Sequence, residues 1–557
     1  MRRSLTSLAD RVFDVVVVGG GVSGAAIVWD AAQRGLSVAL VERGDFGGAT
    51  SANSLKVVHG GIRYLQHLDV ARVRESCRER SAWLRIAPHL VAPLPVLVPA
   101  FGHGIRGPEA LGAAFALLHA LTPDRNRGLQ DPERRIPRAR LVSRREARER
   151  CPELHHPDLT GGGLFWDGQL LNPPRLVWEL VRTAARAGAV AANYCEVRGF
   201  LRRGGRIEGL AVHDLLGGER FAVRGRIVVN AAGPFAEALY VSDGLRQERR
   251  VPLSRDMALV IRRPLVKGQA VAVQTGYRDP DAYLSRGPRH LFIVPWRGVT
   301  LAGVNSAVFQ GDPFALATTD AEIQDFVREI DRAVPAWGLT REDVALVYAG
   351  LLPIESGTLR RANLSFGKRP YLVDNAATDG VEGLVTAVAN RFTIARALAQ
   401  RAVDLVFRKL GSTPPACRTA ATPLWGGEFA TMDALVRDAR ASTGYPLMAE
   451  QRERLARTYG SSWPEVARLA ADPCLREPVG ATPLLRAELV HAVRNEMAVR
   501  LADCVFTRTE LGTAGHPGEA ALAASAEVAA AELGWSADRT RAELADVRAR
   551  FGERWAR

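Results

Sequence analysis

The chain has 557 residues, 47% hydrophobic and 24% charged, enough for two or three soluble domains around a large core. Its six cysteines lie at least 30 positions apart and form no Cys/His cluster, a pattern of reduced thiols in a cytoplasmic protein that argues against a disulfide scaffold and a metal site. The formal net charge of +14 points to an anionic partner. The arginines are nevertheless spread along the chain without interleaved aromatics, so no nucleic-acid interface is expected.

The run Phe13-Asp14-Val15-Val16-Val17-Val18 predicts a buried parallel strand. Gly19, Gly21 and Gly24 follow at G-x-G-x-x-G spacing, with Gly20 and Ser23 in the same turn, and a helical pattern comes next. Gly19 permits the tight turn, Gly21 lets backbone approach a pyrophosphate, and Gly24 lets helix pack on strand. A second strand over 37–42 ends in Glu42, 18 residues beyond Gly24, where a carboxylate can accept hydrogen bonds from a ribose. This unit predicts dinucleotide binding. The start, Met1-Arg2-Arg3 and an apolar stretch, has the outline of a signal peptide. That stretch is claimed by the nucleotide strand and is too short and Gly-rich to span a bilayer.

A small polar loop carries Thr50, Ser51 and Ser54, then comes Leu55-Lys56-Val57-Val58-His59-Gly60-Gly61-Ile62-Arg63-Tyr64-Leu65. Residues 69–87 read as a helix ended by Pro88, 93–140 as a mixed segment punctuated by Pro and Gly, and 172–188 as a helix. Strands are expected at 190–193, 199–201, 208–213 and 226–230, the last running into Ala231-Ala232-Gly233-Pro234 as a return to the nucleotide sheet. From 250 to 350 the period is mostly two, which predicts an antiparallel sheet with its own binding face. A strand at 383–390 leads into a long helix over 392–410, with Asn390 as its N-cap. A linker at 411–415 precedes an Ala/Arg/Leu/Glu-rich region, helical from about 445 to the end. The domains read as 1–410, with a nucleotide unit interleaved with the substrate sheet, and 411–557, all helical.

With these pieces placed, the chain resembles the FAD-dependent glycerol-3-phosphate dehydrogenases, within the D-amino-acid-oxidase-like flavoproteins. The resemblance is carried by V-V-G-G-G-V-S-G-A (17–25), L-V-E (40–42), A-T-S (49–51), S-L-K-V-V-H-G-G-I-R-Y-L (54–65), V-V-N-A-A-G-P (228–234), F-I-V-P-W (292–296) and G-D-P (311–313). A-R-T-Y-G-S (456–461) and R-L-A-D-C-V-F-T-R-T (500–509) resemble that family's helical cap. It implies an α/β fold: a Rossmann-like FAD domain, an antiparallel-sheet substrate domain and an all-α C-terminal cap. It also implies hydride transfer from a secondary alcohol to flavin N5, with electrons passing to a membrane quinone or to oxygen. The location that follows is cytoplasmic, peripheral on the inner face of the plasma membrane.

The same resemblance implies roles. Gly19, Gly20, Gly21, Ser23, Gly24 and Glu42 would hold the ADP half of FAD. Thr50, Ser51, Ser54, Lys56, Ala232, Gly233, Asn390 and Thr393 would pass its pyrophosphate and flavin. Arg63 and Tyr64 match the family's substrate-side pair, Arg391 stands where the family has a lysine near the flavin and the substrate, and His59 would lie beside the flavin; these four are the catalytic candidates, and Arg396 also matches. Arg360 or Arg361 matches an arginine that binds substrate phosphate.

Four departures cluster on the substrate side. Arg255-Asp256-Met257-Ala258 stands where the family has lysine-glycine-serine-histidine, Leu352 where it has arginine, Ala389-Asn390 where it has two glycines, and Gly303-Val304-Asn305-Ser306 where it has glycine-threonine-threonine-aspartate. Loss of one charge-assisted bond costs about 1.5–3 kcal/mol, or about ten- to hundred-fold in affinity for an anion. FAD binding is expected to survive these changes. The substrate is either glycerol 3-phosphate or a different alcohol or amine, and a third reading is a flavin-binding protein without catalysis.

Overall fold

Val15, Val16 and Val17 are fully buried, as a four-valine run covered on both faces requires. The computed structural model describes residues 1, 3–104, 107–246, 251–278, 288–354 and 370–554. Among them the strands are β1 (Val12–Val18), β2 (Val38–Val41), β3 (Val57–Val58), β4 (Val91–Phe101), β5 (Arg140–Ser143), β6 (Leu159–Leu170), β7 (Val190–Ala192), β8 (Cys195–Arg203), β9 (Arg206–Asp214), β10 (Arg220–Asn230), β11 (Leu253–Ile261), β12 (Ala270–Arg278), β13 (Pro288–Trp296), β14 (Val299–Phe309), β15 (Val344–Pro353), β16 (Tyr371–Asp374) and β17 (Leu384–Val388).

The first sheet runs β16-β17-β10-β1-β2-β7, with β9 on β10 and β8 on β9. β1 lies parallel to both β2 and β10, pairing Val18 with Val41 and with Asn230. The strand expected at 226–230 thus returns beside the glycine turn. One face of the sheet packs on three helices, Val22–Gln33, Pro173–Arg186 and Ala395–Lys409, which supply much of the largest core.

The second sheet runs β15-β11-β14-β13-β12-β4-β6-β3, with β5 on β6. The antiparallel sheet expected over 250–350 forms, and it is larger than that segment: β3, β4, β5 and β6 extend it, and β12 meets β4 in parallel. The mixed segment 93–140 hides β4 and the helix Pro108–Leu121. Prolines 93, 95 and 99 obscure β4 in the sequence. They are tolerated because β6 pairs with the whole strand on one side, while on the other β12 reaches only Val96 and Leu97.

Asn390 does not cap the following helix. A 3-10 turn, Phe392–Ile394, comes first, and the helix proper begins at Ala395. The helical C-terminal region starts earlier than expected, at Met432–Ala441. Its later helices, Arg486–Asn495, Glu519–Leu533 and Ala537–Arg554, flank a π-helical turn over Cys504–Arg508.

Candidate functional site

A cavity of about 990 Å³ lies between the two sheets and reaches the C-terminal helices. Gly19, Gly21, Ser23 and Glu42 wall one end, with Ala232 and Gly233 from the end of β10. Glu42 Oε2 accepts from Gly20 N at 2.6 Å and Oε1 from Gly44 N at 2.6 Å, and burial pushes its pKa up. Each oxygen retains a lone pair for a further donor. Ser51 Oγ accepts from Val22 N at 3.0 Å, pinning the loop to the start of the first long helix.

The glycines divide by task. A Cβ on Gly19 (φ +98°) would lie 2.8 Å from Ala231 O. One on Gly24 would lie 1.8 Å from Gly19 O, so Gly24 serves helix packing. Gly20 donates to Glu42 and backs on Phe46 rather than walling the cavity. This end is a backbone cradle at a helix N-terminus with a ribose-type acceptor, and the donor set fits a dinucleotide.

The other end is lined by Thr50, Ser54, His59, Asn390, Arg391 and Thr393. Thr50 Oγ1 donates to Leu351 O at 2.9 Å, tying the loop to β15. His59 N donates to Thr393 Oγ1 at 3.2 Å. Tyr64 stands behind this wall: its Oη accepts from Arg391 Nη1 at 3.0 Å and lies 3.5 Å from His59 Nε2. Arg391 Nη1 also donates to Ser76 Oγ at 3.2 Å. Burial, then the cations Arg391, Arg72, Arg80 and Arg63, hold the His59 pKa down at about 3. The imidazole is therefore neutral at ordinary pH.

Several expectations are corrected. Lys56 does not face the cavity: at φ +60° its side chain turns inward, 1% exposed, with Nζ 4.1 Å from the Tyr348 ring centroid and 4.8 Å from that of Trp296. Arg63 and Tyr64 do not line the cavity wall; the field of Arg63 reaches His59 and His290. Gly60 and Gly61, which the resemblance would use for close approach to the flavin ring, serve the frame. A Cβ on Gly60 would meet Arg80 Nη1 at 2.2 Å, and Gly61 sits at φ +78°. Gly60 N donates to Asp167 Oδ1 at 2.5 Å, and Arg80 pairs with the same carboxylate at 3.2 Å. Arg396 is buried against Glu79, away from the cavity. Arg360 and Arg361 lie outside the described residues. Ser76, Arg80 and Asp167 were missed because nothing local marks them; each matters only through a distant backbone or side-chain partner.

The substrate-side departures gather here: Asp256, Met257, Ala258, Val304, Leu352 and Asn390 all line the cavity. Among the described residues no group of His, Cys, Asp and Glu could hold a metal ion.

The comparisons agree with this geometry. Residues 14–405 match the family model described as FAD dependent oxidoreductase, and 417–540 that of the C-terminal domain of alpha-glycerophosphate oxidase. The chain is 30% identical over 549 residues to a glycerol-3-phosphate dehydrogenase of Synechocystis sp., covering 96% of this chain and 95% of that protein. It is 32% identical over 550 residues to glycerol-3-phosphate dehydrogenase 2 of Mycobacterium tuberculosis, covering 98% and 88%. Its fold matches the crystal structure of a Bacillus halodurans glycerol-3-phosphate dehydrogenase complexed with FAD, at TM-score 0.76 and 24% identity over 99% of this chain and 97% of that one. The cradle, the two sheets and the helical cap thus have one explanation: the chain is an FAD-dependent oxidoreductase and belongs to the glycerol-3-phosphate dehydrogenase family.

Proposed function

We propose that this enzyme oxidises the secondary alcohol of glycerol 3-phosphate or a close analogue, with Glu42 and the glycine turn holding the ADP half of FAD. The observation that carries the reading is the meeting of a neutral imidazole and a guanidinium only 10% exposed, His59 and Arg391, on one wall of a cavity whose far end suits a dinucleotide. The chemistry supplied by FAD when bound is acceptance of a hydride from the carbinol carbon, the electrons leaving for a quinone or oxygen. The chain's own residues orient the hydroxyl and meet the charge. His59, neutral and only weakly basic, can accept a hydrogen bond from the substrate hydroxyl at the ring nitrogen that does not face Tyr64 Oη, and so orients the carbinol rather than taking its proton. Arg391, held by Tyr64 and Ser76, stabilises the oxygen as it becomes negative.

A second reading, a neutral or cationic substrate, is favoured by one observation. Asp256 adds a carboxylate to the wall where Ala258 and Leu352 contribute no positive charge. Anaerobic titration separates the two. Glycerol 3-phosphate at sub-millimolar concentration is expected to bleach the flavin absorbance. Bleaching by a neutral polyol or an amine but not by glycerol 3-phosphate would overturn the first reading; no bleaching by any of them would overturn both.

We infer also that the protein meets anionic lipid peripherally. Among the described residues no helix is long and apolar enough to cross a membrane. The helix Pro108–Leu121 carries no Lys, Arg, Asp or Glu after Glu109, and Phe115 is its one fully buried residue. Ala113, Ala116, Leu117 and Ala120 face solvent, and Leu141 stands beside it, 43% exposed. Segment 122–150, which follows the helix, holds ten arginines against five acids. An apolar face with a basic rim suits an anionic headgroup surface.

A further inference from the structure

The nucleotide end of the cavity is braced by a contact between residues 463 positions apart. Asp45 lies in the turn between Glu42 and the Ala49–Ala52 helix. Its Oδ2 accepts from Arg508 Nη1 at 2.6 Å and its Oδ1 from Arg508 Nη2 at 2.7 Å. Thr507 Oγ1 donates to Oδ2, and Asn193 Nδ2 to Oδ1 at 3.0 Å. The Arg508 side chain is 0% exposed and that of Asp45 7%.

Both partners are rigidly held. Arg508 Nε donates to Glu496 O at 2.8 Å, the Arg508 carbonyl accepts from Arg175 at 2.8 Å, and the guanidinium lies over the Trp178 ring, 4.4 Å from its centroid. The π-helical turn over Cys504–Arg508 delivers Thr507 and Arg508 to the same carboxylate. On the other side the Asp45 turn is tied to the glycine turn: Gly47 N donates to Gly20 O at 3.0 Å, and Gly20 N to Glu42. Asp45 and Thr507 themselves line the cavity. Hydrogen bonds at both ends, joined by the short backbone Asp45-Phe46-Gly47, therefore connect the C-terminal region to Glu42.

We propose that Arg508 and Thr507 are positioning residues for FAD, so that the C-terminal helical region sets cofactor affinity by clamping the Glu42-to-Gly48 turn against the glycine cradle. This rests on the reading of Glu42 and the cradle as the ADP end. A planar, bidentate guanidinium can hold both oxygens of Asp45 in one orientation, which lysine cannot do.

The test titrates apoprotein with FAD, following flavin fluorescence, beside thermal midpoints of apo and loaded protein. Arg508→Lys, Thr507→Val and Asp45→Asn are expected to raise the FAD Kd about tenfold or more. Arg454→Gln, which breaks the Arg454–Glu488 pair elsewhere in the C-terminal helices, is expected to lower the midpoint and leave the FAD Kd unchanged. The proposal is overturned if Thr507→Val and Arg508→Lys behave like Arg454→Gln. If Arg508→Lys fails to fold, the milder Thr507→Val decides alone. A Glu42→Ala variant with unaltered FAD Kd would instead overturn the reading of the ADP end.

Discussion

At the scale of single residues, His59 is where burial and charge act together. Desolvation and four nearby guanidinium groups keep its imidazole neutral down to about pH 3, whereas the unfolded chain takes up that proton near 6.5. Between those values the unfolded state binds the extra proton, so folding stability is lost as pH falls from 6.5 towards 3. Replacing His59 by Asn removes this contribution. The drop in thermal midpoint between pH 7 and pH 4 is expected to be smaller in His59→Asn than in the parent; an equal drop would show that the ring is not held neutral. Gly24 makes a sterner demand. A methyl group there lies 1.8 Å from the Gly19 carbonyl oxygen, so Gly24→Ala must move either the helix or the cradle. Overpacking of this kind costs about 1–3 kcal/mol or more. A lowered urea midpoint together with lost flavin is the expected outcome.

At the scale of elements, the helix Pro108–Leu121 is unusual in what it leaves uncovered. Its inner face, Ala114, Leu118 and Leu121, packs on Leu65, Val73 and Cys77, while the outer face has no counterpart among the described residues. If that face meets anionic lipid, Leu117→Glu with Leu141→Glu should weaken co-sedimentation with phosphatidylglycerol-containing vesicles at low salt by about tenfold or more. Parent protein that stays in the supernatant under those conditions would rule the idea out. A change of oligomeric state in the variant would mean that a second copy covers the face instead. The nucleotide cradle is the opposite kind of element. Strand, turn, helix and second strand are contiguous in sequence, and each local preference agrees with the tertiary arrangement.

At the scale of the whole molecule, the cavity is shared by parts that the chain brings together from far apart. Ala258 pairs with Tyr348, and Leu352 with Ser254, so the two departures stand four residues apart along neighbouring strands, about 13 Å. They therefore act on different parts of the cavity and belong in separate tests. Leu352→Arg alone, or Ala258→His alone, should tighten glycerol 3-phosphate binding about ten- to hundred-fold where the restored group meets the substrate. Kd from flavin spectral titration reads the effect. No gain in either variant would move the substrate away from β11 and β15.

Much was legible without coordinates. The four valines, the glycine spacing and Glu42 marked the end proposed to hold the cofactor, because a βαβ cradle is specified by residues within about thirty positions of one another. His59 was legible by motif, Asn390 and Arg391 only as departures from the family's pattern, and all three line the cavity. What only the tertiary structure decided depends on distant partners. Lys56 turns into a box of Trp296 and Tyr348, the glycines after His59 make room for Arg80 and a left-handed turn, and the prolines of β4 sit along a mostly open edge. The Asp45–Arg508 clamp joins opposite ends of the chain. Local sequence sets backbone preference and hydrophobic period, whereas the direction of a buried charge is set by whichever distant group neutralises it, and that group is known only once the chain has folded.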